Sequence, residues 1–304
     1  MKPDLRIKIG SLEMKNPVTV ASGTFGYGPE YANYVDLNRL GAITVKGISV
    51  EPHTGNETPR TFEVASGMLN AIGLPGPGAE GFIKNYIPFL RKFDVPVIVN
   101  IWGKTVADYG RVAEIMNDEA GVHALEVNVS CPNVKEGGAL YGTDVAQFSA
   151  VVNEVRAKTG KPLIIKLAPN VSDIKLFALA AQNAGADAVS IMNSYPAMAI
   201  NIETRKPELA NRTGGLSGPA IKPIAVKLVW EAAKAIQIPI IGMGGISSPE
   251  DAIEFIIAGA TGVSVGTANF TDPSTAVRVI DGIEAWMTAH NINSIAELRG
   301  TVQA

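Results

Sequence analysis

The stretch ALEVNVSCPN, Ala124–Asn133, shows the pattern from which the fold of this chain can be inferred. It begins with an apolar run of the kind that forms a strand buried on both faces. Pro132 ends that strand, because proline has no N–H to donate to a sheet ladder. Two carboxamides, a hydroxyl and the thiol of Cys131 therefore follow the carboxyl end of a strand. Proteins of the α/β class place their chemistry at such ends.

The same pattern of a short apolar run followed by a longer helical stretch recurs along the chain. The eight runs are Pro17–Ser22, Ala42–Gly47, Pro96–Gly103, Ala124–Ser130, Leu163–Pro169, Ala188–Ser194, Ile238–Gly245 and Gly262–Thr267. Eight β/α units predict an α/β fold of the (β/α)₈ TIM barrel type. A doubly wound sheet is the alternative, but eight units without a break in composition favour closure. We therefore predict a single barrel domain over residues 1–304.

Three connections and the amino-terminal segment depart from the simple repeat. Leu5–Asn16 alternates weakly around Gly10 and predicts a hairpin at the amino end of the barrel. The connections after strands 2, 4 and 6 are long, and long loops in a compact domain are usually functional or mobile. They are Ile48–Glu80, Pro132–Thr143 and Tyr195–Gly218. Ser172 and Ser248 are the predicted N-caps of two helices.

Composition excludes several classes of function. Lys and Arg number 26 against 29 Asp and Glu, a net charge of −3, which argues against nucleic acid or an anionic membrane as the main partner. The amino terminus has no signal-peptide h-region, and no apolar run reaches the roughly 18 residues that span a bilayer. One cysteine and three scattered histidines exclude an internal disulfide and predict no metal site. We therefore expect a cytoplasmic protein.

Polar residues stand at the carboxyl end of nearly every predicted strand. A lone cysteine is more often a small buried residue, and a lone lysine or asparagine at a strand end is usually solvated. A whole ring of such residues is harder to explain in that way, because buried polar groups are costly without partners. We therefore expect a ligand rich in hydrogen-bonding groups at the barrel mouth. The ring comprises Ser22, Lys46, Asn100, Asn128, Cys131, Lys166, Asn193 and Ser194.

Glycine turns end the last two strands, at Gly244-Gly245 and Gly266-Thr267. Barrels commonly bind phosphate at that position, since bare backbone N–H groups can approach the anion. A third glycine-rich segment, Gly214–Gly218, is expected nearby. Flavin mononucleotide (FMN) fits this arrangement. Its phosphate would lie on the glycine turns and its ring edge near Lys166, which would stabilise the reduced flavin.

With these residues in place, the chain resembles the dihydroorotate dehydrogenases, flavin enzymes of pyrimidine synthesis. The similarity covers nearly the whole length. The motifs that carry it are ASGT from Ala21, VKG from Val45, NAIGL from Asn70, NVSCPN from Asn128, IIKL from Ile164, Asn211, GGLSGPAIKP from Gly214 and the two glycine turns.

The resemblance implies the following roles in an oxidation of dihydroorotate to orotate. Cys131 would be the base. The residues implied in orotate binding are Lys46, Asn70, Ala71, Ile72, Gly73, Leu74, Asn128, Asn193 and Ser194. The residues implied in FMN binding are Ser22, Lys46, Gly47, Asn100, Asn128, Lys166, Met192, Gly218, Gly244, Gly245, Gly266 and Thr267.

Within that family, cysteine as the base indicates class 1, and GGLSGPAIKP is similar to class 1B. Class 1B implies a homodimer core in a heterotetramer whose second subunit carries FAD and a 2Fe–2S cluster and passes electrons to NAD⁺. The alternative within the family is class 1A, a homodimer that uses fumarate. Alternatives outside it are a Schiff-base aldolase using Lys46 or Lys166, which leaves Cys131 unused, and a scaffold barrel without catalysis.

Overall fold

The computed structural model describes residues 2–129 and 138–303. The strands in these ranges are β1 Ile7–Ile9, β2 Leu12–Met14, β3 Val18–Val20, β4 Ala42–Ile48, β5 Thr61–Val64, β6 Gly67–Asn70, β7 Val97–Ile101, β8 Ala124–Asn128, β9 Leu163–Lys166, β10 Ala188–Ile191, β11 Tyr195–Ala197, β12 Ile200–Asn201, β13 Lys206–Pro207, β14 Gly214–Ser217, β15 Ile240–Met243 and β16 Gly262–Val265.

The helices follow the strands on the outside of the sheet. They are α1 Gly78–Asn85, α2 Ile87–Leu90, α3 Val106–Asp118, α4 Gly138–Thr143, α5 Val145–Lys158, α6 Ile174–Asn183, α7 Lys222–Ala233, α8 Pro249–Ala258, α9 Ala268–Thr271, α10 Thr275–Ala289 and α11 Ile295–Leu298. Two short 3₁₀ helices, Leu37–Arg39 and Pro219–Ile221, are also present. In the parts of the chain described, no helix has the length and apolar character needed to cross a membrane.

Eight parallel strands close into a barrel in the order β10-β15-β16-β3-β4-β7-β8-β9. Seven of them lie within the runs predicted from the sequence, and β4 extends one residue past its run Ala42–Gly47, so the (β/α)₈ prediction is confirmed. The strands are buried along nearly their whole length, because helices cover their outer faces and side chains fill the barrel. The extent of the single domain, residues 1–304, stays a prediction.

The predicted hairpin at the amino terminus is confirmed. Strands β1 and β2 pair antiparallel, and Gly10 in the turn has a positive φ of 56°. The hairpin buries its apolar residues in the barrel core, and Ile7 lies against Gly262 at the start of β16. Since β16 begins at the amino end of the barrel, the hairpin closes that end with apolar side chains.

The predicted N-caps have different outcomes. Ser248 caps α8, where it forms a capping box with Asp251. The prediction for Ser172 is wrong, because α6 begins one residue later. Its N-cap is Asp173, whose carboxylate accepts a hydrogen bond from the backbone N–H of Lys175 at 2.9 Å. Both residue types can cap, and the sequence alone did not decide between neighbours.

The long connections after the second and sixth barrel strands pair with each other. They form an antiparallel sheet in the order β11-β14-β6-β5, with β6 from one connection and β14 from the other in register from Gly215 opposite Asn70. A further small hairpin joins β12 to β13. The sequence predicts these segments only as long loops. Their pairing brings two distant parts of the chain together over the carboxyl end of the barrel.

Candidate active site

The carboxyl end of the barrel opens into a cavity of about 710 Å³. Most residues that the sequence analysis assigned to substrate or cofactor line it. These are Ser22, Lys46, Gly47, Asn70, Ile72, Gly73, Leu74, Asn128, Lys166, Met192, Asn193, Ser194, Gly218, Gly244, Gly245, Gly266 and Thr267. Strand ends, the loop after β6 and the β14 segment thus meet in one chamber.

Glycines form one wall, which we call the glycine cluster: Gly218, Gly244, Gly245 and Gly266. Gly218, Gly244 and Gly245 have φ values of 101°, 124° and 78°, in the region that side-chain-bearing residues rarely adopt. A Cβ added to Gly245 would lie 2.9 Å from the carbonyl oxygen of Gly218. The turn after β15 and the end of β14 are therefore packed backbone against backbone. This leaves bare peptide groups along the wall.

Polar side chains lie beside the glycine cluster. The hydroxyl of Thr267 donates a hydrogen bond to Ser217 Oγ at 2.8 Å. Ser264 Oγ and Asn269 Oδ1 are buried in the cavity wall, and neither has a hydrogen-bond partner among the residues described. Buried polar atoms are normally paired, so these two orphans indicate a missing polar ligand. The chemistry of this wall would suit a ligand with phosphate and hydroxyl oxygens, such as the phosphate and ribityl chain of FMN.

Amides form a second wall, the amide cluster: Asn70, Asn128, Asn193 and Ser194. Asn193 Nδ2 donates to Asn128 Oδ1 at 3.4 Å, and the backbone N–H of Ser194 donates to Asn193 Oδ1 at 2.8 Å. Asn70, the last residue of β6, donates to the carbonyl of Gly215 on β14 at 3.2 Å. The extra sheet is therefore what holds Asn70 beside the barrel asparagines.

Lys46 brings a positive charge to the cavity from β4. Burial lowers the pKa of Lys46, the nearby positive charge of Arg60 lowers it further, and the negative charge of Glu30 partly opposes both. Arg60 and Glu30 also line the cavity. Two cations against one carboxylate leave this part of the site suited to an anionic group.

A buried ionic group lies under the cavity floor. Lys166 at the end of β9 has its Nζ 3.7 Å from Glu126 Oε1, and their side chains are only 6% and 3% exposed. The same ammonium donates to Ser22 Oγ at 3.4 Å. Asn100 Nδ2 donates to Glu126 Oε1 at 2.6 Å. Lys166 is thus held between the first and fourth barrel strands.

Three of the residues assigned to substrate binding, cofactor binding or catalysis are not among the described residues that line the cavity. Ala71 is fully buried in a small cluster with Leu69 and Leu209. Asn100 is fully buried beside the cavity wall, and its Oδ1 has no partner among the described residues. Cys131 lies outside the described residues, as do residues 132–137 of the connection Pro132–Thr143, whose remainder Gly138–Thr143 forms α4. The roles assigned to these three residues stay predictions, as do those of the residues that line the cavity.

Comparison with known proteins agrees with the geometry. The family model described as dihydroorotate dehydrogenase matches residues 4–287. This chain belongs to the dihydroorotate dehydrogenase family. Among the curated members it resembles is the protein named dihydroorotate dehydrogenase B (NAD(+)), catalytic subunit, from Geotalea daltonii, 53% identical over 99% of both chains. Relatives of the same name from Pelobacter propionicus, 50% identical over 100% of both chains, and Desulforamulus reducens, 52% over 99%, are also similar.

Membership in the dihydroorotate dehydrogenase family confirms the resemblance drawn from the motifs. It also removes the Schiff-base aldolase and the scaffold from consideration, since the relatives are named dehydrogenases. Sequence reasoning missed Glu126, Arg60 and Glu30. Glu126 had a usable signal, because a charge inside an otherwise apolar strand must find a partner. Arg60 and Glu30 lie in connections, where the sequence gives no sign of which side chains turn inward.

Within the described residues, no group of three or more His, Cys, Asp or Glu side chains is arranged to hold a metal ion. Most polar side chains that line the cavity are instead amides, hydroxyls and cationic groups, and Glu30 adds a carboxylate. Such groups suit an organic ligand with carbonyl, carboxylate and phosphate oxygens.

Proposed function

We propose that this chain oxidises dihydroorotate to orotate with FMN as its bound cofactor, in pyrimidine biosynthesis. The observation that carries the proposal is the cavity itself. It combines a glycine wall with orphaned polar atoms, a buried lysine and an amide cluster in one chamber at the carboxyl end of the barrel. The names of the relatives support the same reaction.

The residues proposed to hold FMN fall into two groups. Gly218, Gly244, Gly245, Gly266 and Thr267 would receive the phosphate through backbone N–H groups and a hydroxyl. The ring would be held by Ser22, Lys46, Gly47, Asn100, Asn128, Lys166 and Met192. The chemistry that FMN supplies when bound is the acceptance of two electrons from the substrate. Lys166 would stabilise negative charge that develops beside it.

The amide cluster and Lys46 are proposed to bind the substrate. The carboxylate of dihydroorotate would pair with the ammonium of Lys46, and its ring carbonyl and N–H groups would pair with Asn70, Asn128, Asn193 and Ser194. The segment Ala71–Leu74 would contribute backbone groups. Gly73 and Leu74 have positive φ values of 77° and 53°, so this segment turns sharply beside the cavity.

Cys131 is proposed as the base that removes the proton from carbon 5 of dihydroorotate. A thiolate can act in this way when neighbouring donors lower its pKa. Asn128 lines the cavity three residues before Cys131, which supports a place for the thiol near the substrate.

We further propose that electrons pass to NAD⁺ through a second subunit with FAD and a 2Fe–2S cluster, around a homodimer of this chain. The words NAD(+) and catalytic subunit in the relatives' names support a partner of this kind. The single cysteine is consistent with a cluster held elsewhere and with a cytoplasmic location. A class 1A enzyme that uses fumarate is the alternative.

Anaerobic mixing of the purified, FMN-loaded chain with dihydroorotate tests the reaction. The flavin absorption should bleach and orotate should accumulate in equal amount. A chain that takes up no FMN, or whose flavin is not bleached, would contradict the proposal. NAD⁺ reduction should then require the second subunit, whereas turnover of fumarate by the chain alone would favour class 1A.

A further inference from the structure

Glu126 is a buried titratable residue that the proposed chemistry leaves without a role. It lies on β8 two residues before Asn128, so both side chains point to the same face of the strand. Asn128 lines the cavity and Glu126 does not. The carboxylate of Glu126 therefore lies one side-chain layer below the cavity, inside the barrel.

Three other barrel strands supply the contacts of this carboxylate: the two that pair with β8 and the next one, β10. Oε1 accepts a hydrogen bond from Asn100 Nδ2 on β7 at 2.6 Å and lies 3.7 Å from Lys166 Nζ on β9. Oε2 accepts a hydrogen bond from Ser190 Oγ on β10 at 2.9 Å. Both oxygens are thus in use, and each partner is itself buried.

A charge in this position is costly for the fold. Well-packed apolar residues of similar volume often replace a buried ion pair without loss of stability, so packing alone does not require a carboxylate here. The negative charge of Glu126 instead influences the electrostatics of the groups next to it. It faces the ammonium of Lys166, which lines the cavity above it.

The same carboxylate also orients Asn100. An ionised carboxylate only accepts hydrogen bonds, so the amide nitrogen of Asn100 must face Glu126 and its Oδ1 must turn away. A Cβ added to Gly47 would lie 3.0 Å from that oxygen, which places Asn100 Oδ1 beside a residue that lines the cavity. Asn100 Oδ1 has no partner among the described residues. Glu126 therefore directs two of the proposed cofactor contacts at once.

We propose that Glu126 is a positioning residue that holds Lys166 and Asn100 against the cofactor and offsets part of the positive charge of Lys166. It thereby limits how strongly the site favours the reduced, negatively charged flavin. This inference rests on the proposed function, because it concerns the proposed FMN site. Without the carboxylate, the ammonium would act on the flavin undiminished.

The test is the midpoint potential of the FMN-loaded chain, measured by anaerobic spectroelectrochemistry for the parent and for Glu126→Gln. The glutamine keeps the shape and an oxygen for Asn100, but removes the charge. For a flavin about 10 Å from the carboxylate and an effective dielectric constant near 20, removal of one unit charge changes the equilibrium constant for flavin reduction roughly tenfold. The potential should therefore rise by about 30 mV, the tenfold equivalent for a two-electron couple.

Ser190→Ala is the matched control, because it removes a hydrogen bond to the same carboxylate and keeps the charge. Its midpoint potential should shift much less than that of Glu126→Gln, because the carboxylate charge stays in place. A potential in Glu126→Gln equal to that of the parent would overturn the inference and leave the proposed function intact. An equal shift in Ser190→Ala would also overturn it, since charge would not be the cause. A parent chain that binds no FMN would overturn both.

The variant Glu126→Gln leaves a buried ammonium and can fail to fold. In that case the double variant Glu126→Gln, Lys166→Gln decides, because it removes both charges. Recovery of folded protein, followed by circular dichroism during urea unfolding, supports the pairing of Glu126 with Lys166. A double variant that is no more stable than the single variant would overturn it.

Discussion

The glycine cluster and the amide cluster face the same cavity but restrict the sequence in different ways. In the glycine cluster the residue type is set by backbone conformation, because Gly218, Gly244 and Gly245 have positive φ values and lie against neighbouring backbone. In the amide cluster it is set by side-chain chemistry, because Asn128 and Asn193 bond to each other. Changes in the first cluster should therefore alter cofactor retention. Changes in Asn70, Asn193, Ser194 and Cys131 should alter the reaction while the cofactor stays bound. Asn128 and Lys46 are proposed to contact both ligands, so their replacement should affect both.

Replacement of Cys131 gives the largest expected effect. It also separates most clearly an effect on the reaction from an effect on cofactor binding. Cys131→Ala should slow flavin reduction by dihydroorotate by about 10²- to 10⁴-fold, the usual contribution of a general base. Cys131→Ser should retain some activity that rises with pH, because a hydroxyl is a weaker acid than a thiol. Stopped-flow bleaching across the pH range measures both. FMN content should be unchanged, and parent-like bleaching by Cys131→Ala would return the thiol to the role of a small buried residue.

Replacement of Lys46 tests the charged side of the substrate site. Lys46→Ala should raise KM for dihydroorotate about 10- to 100-fold, because a hydrogen bond to a charged group contributes about 1.5–3 kcal/mol. The exposed Lys84 on α1 is the matched control, and Lys84→Ala should leave KM unchanged. Steady-state kinetics with an artificial electron acceptor measures both variants. Equal KM values for Lys46→Ala and the parent would remove Lys46 from substrate binding.

Replacement of Gly245 tests the backbone side. Alanine at φ 78° is strained by about 1–2 kcal/mol, and its Cβ would meet the Gly218 carbonyl. Gly245→Ala should therefore weaken FMN binding roughly tenfold while the rate per bound flavin stays near that of the parent. Gly160→Ala is the control, since no described atom lies within 4 Å of an added Cβ there. Fluorescence titration with FMN decides, and parent-like affinity in Gly245→Ala would contradict the assignment.

The smallest expected effect concerns the pH dependence of substrate binding. Lysine loses its charge as pH rises through its pKa, so the lowered pKa of Lys46 should make KM rise at a lower pH than an ordinary lysine would. Arg60→Gln should move this alkaline limb to higher pH, because a repelling cation is removed. Glu30→Gln should move it to lower pH. KM profiles that shift in the same direction in both variants would show that Lys46 does not produce the limb.

The barrel could be predicted from the sequence because its signal is local. Each strand is a short apolar run between a turn and an amphipathic helix, and eight repeats reinforce one another. The residues at the strand ends follow directly from that register, so Lys46, Asn128, Lys166 and the glycine turns could be placed in one cavity.

The extra sheet could not be predicted, because its signal is not local. Thr61–Val64 and Gly67–Asn70 are short and partly exposed, so their pattern does not distinguish a strand from a polar loop. Their stabilising partner, β14, lies far along the chain. Arg60 lines the cavity from the residue that immediately precedes β5. Sequence patterns thus predict which polar residues end each barrel strand, but they do not predict a sheet formed by pairing between two distant connections.

The pairing of β6 with β14 also has a consequence for the order of folding. The hydrogen bond from Asn70 to Gly215 joins residues 145 positions apart. Closing so long a loop costs conformational entropy, and such contacts form late unless other structure brings their ends together. The barrel strands between them provide that structure. We therefore expect the adjacent strands β7, β8 and β9 to form before the pairing that holds Asn70 in place. In pulsed hydrogen exchange, the amides of β6 and β14 should gain protection after those of β7, β8 and β9.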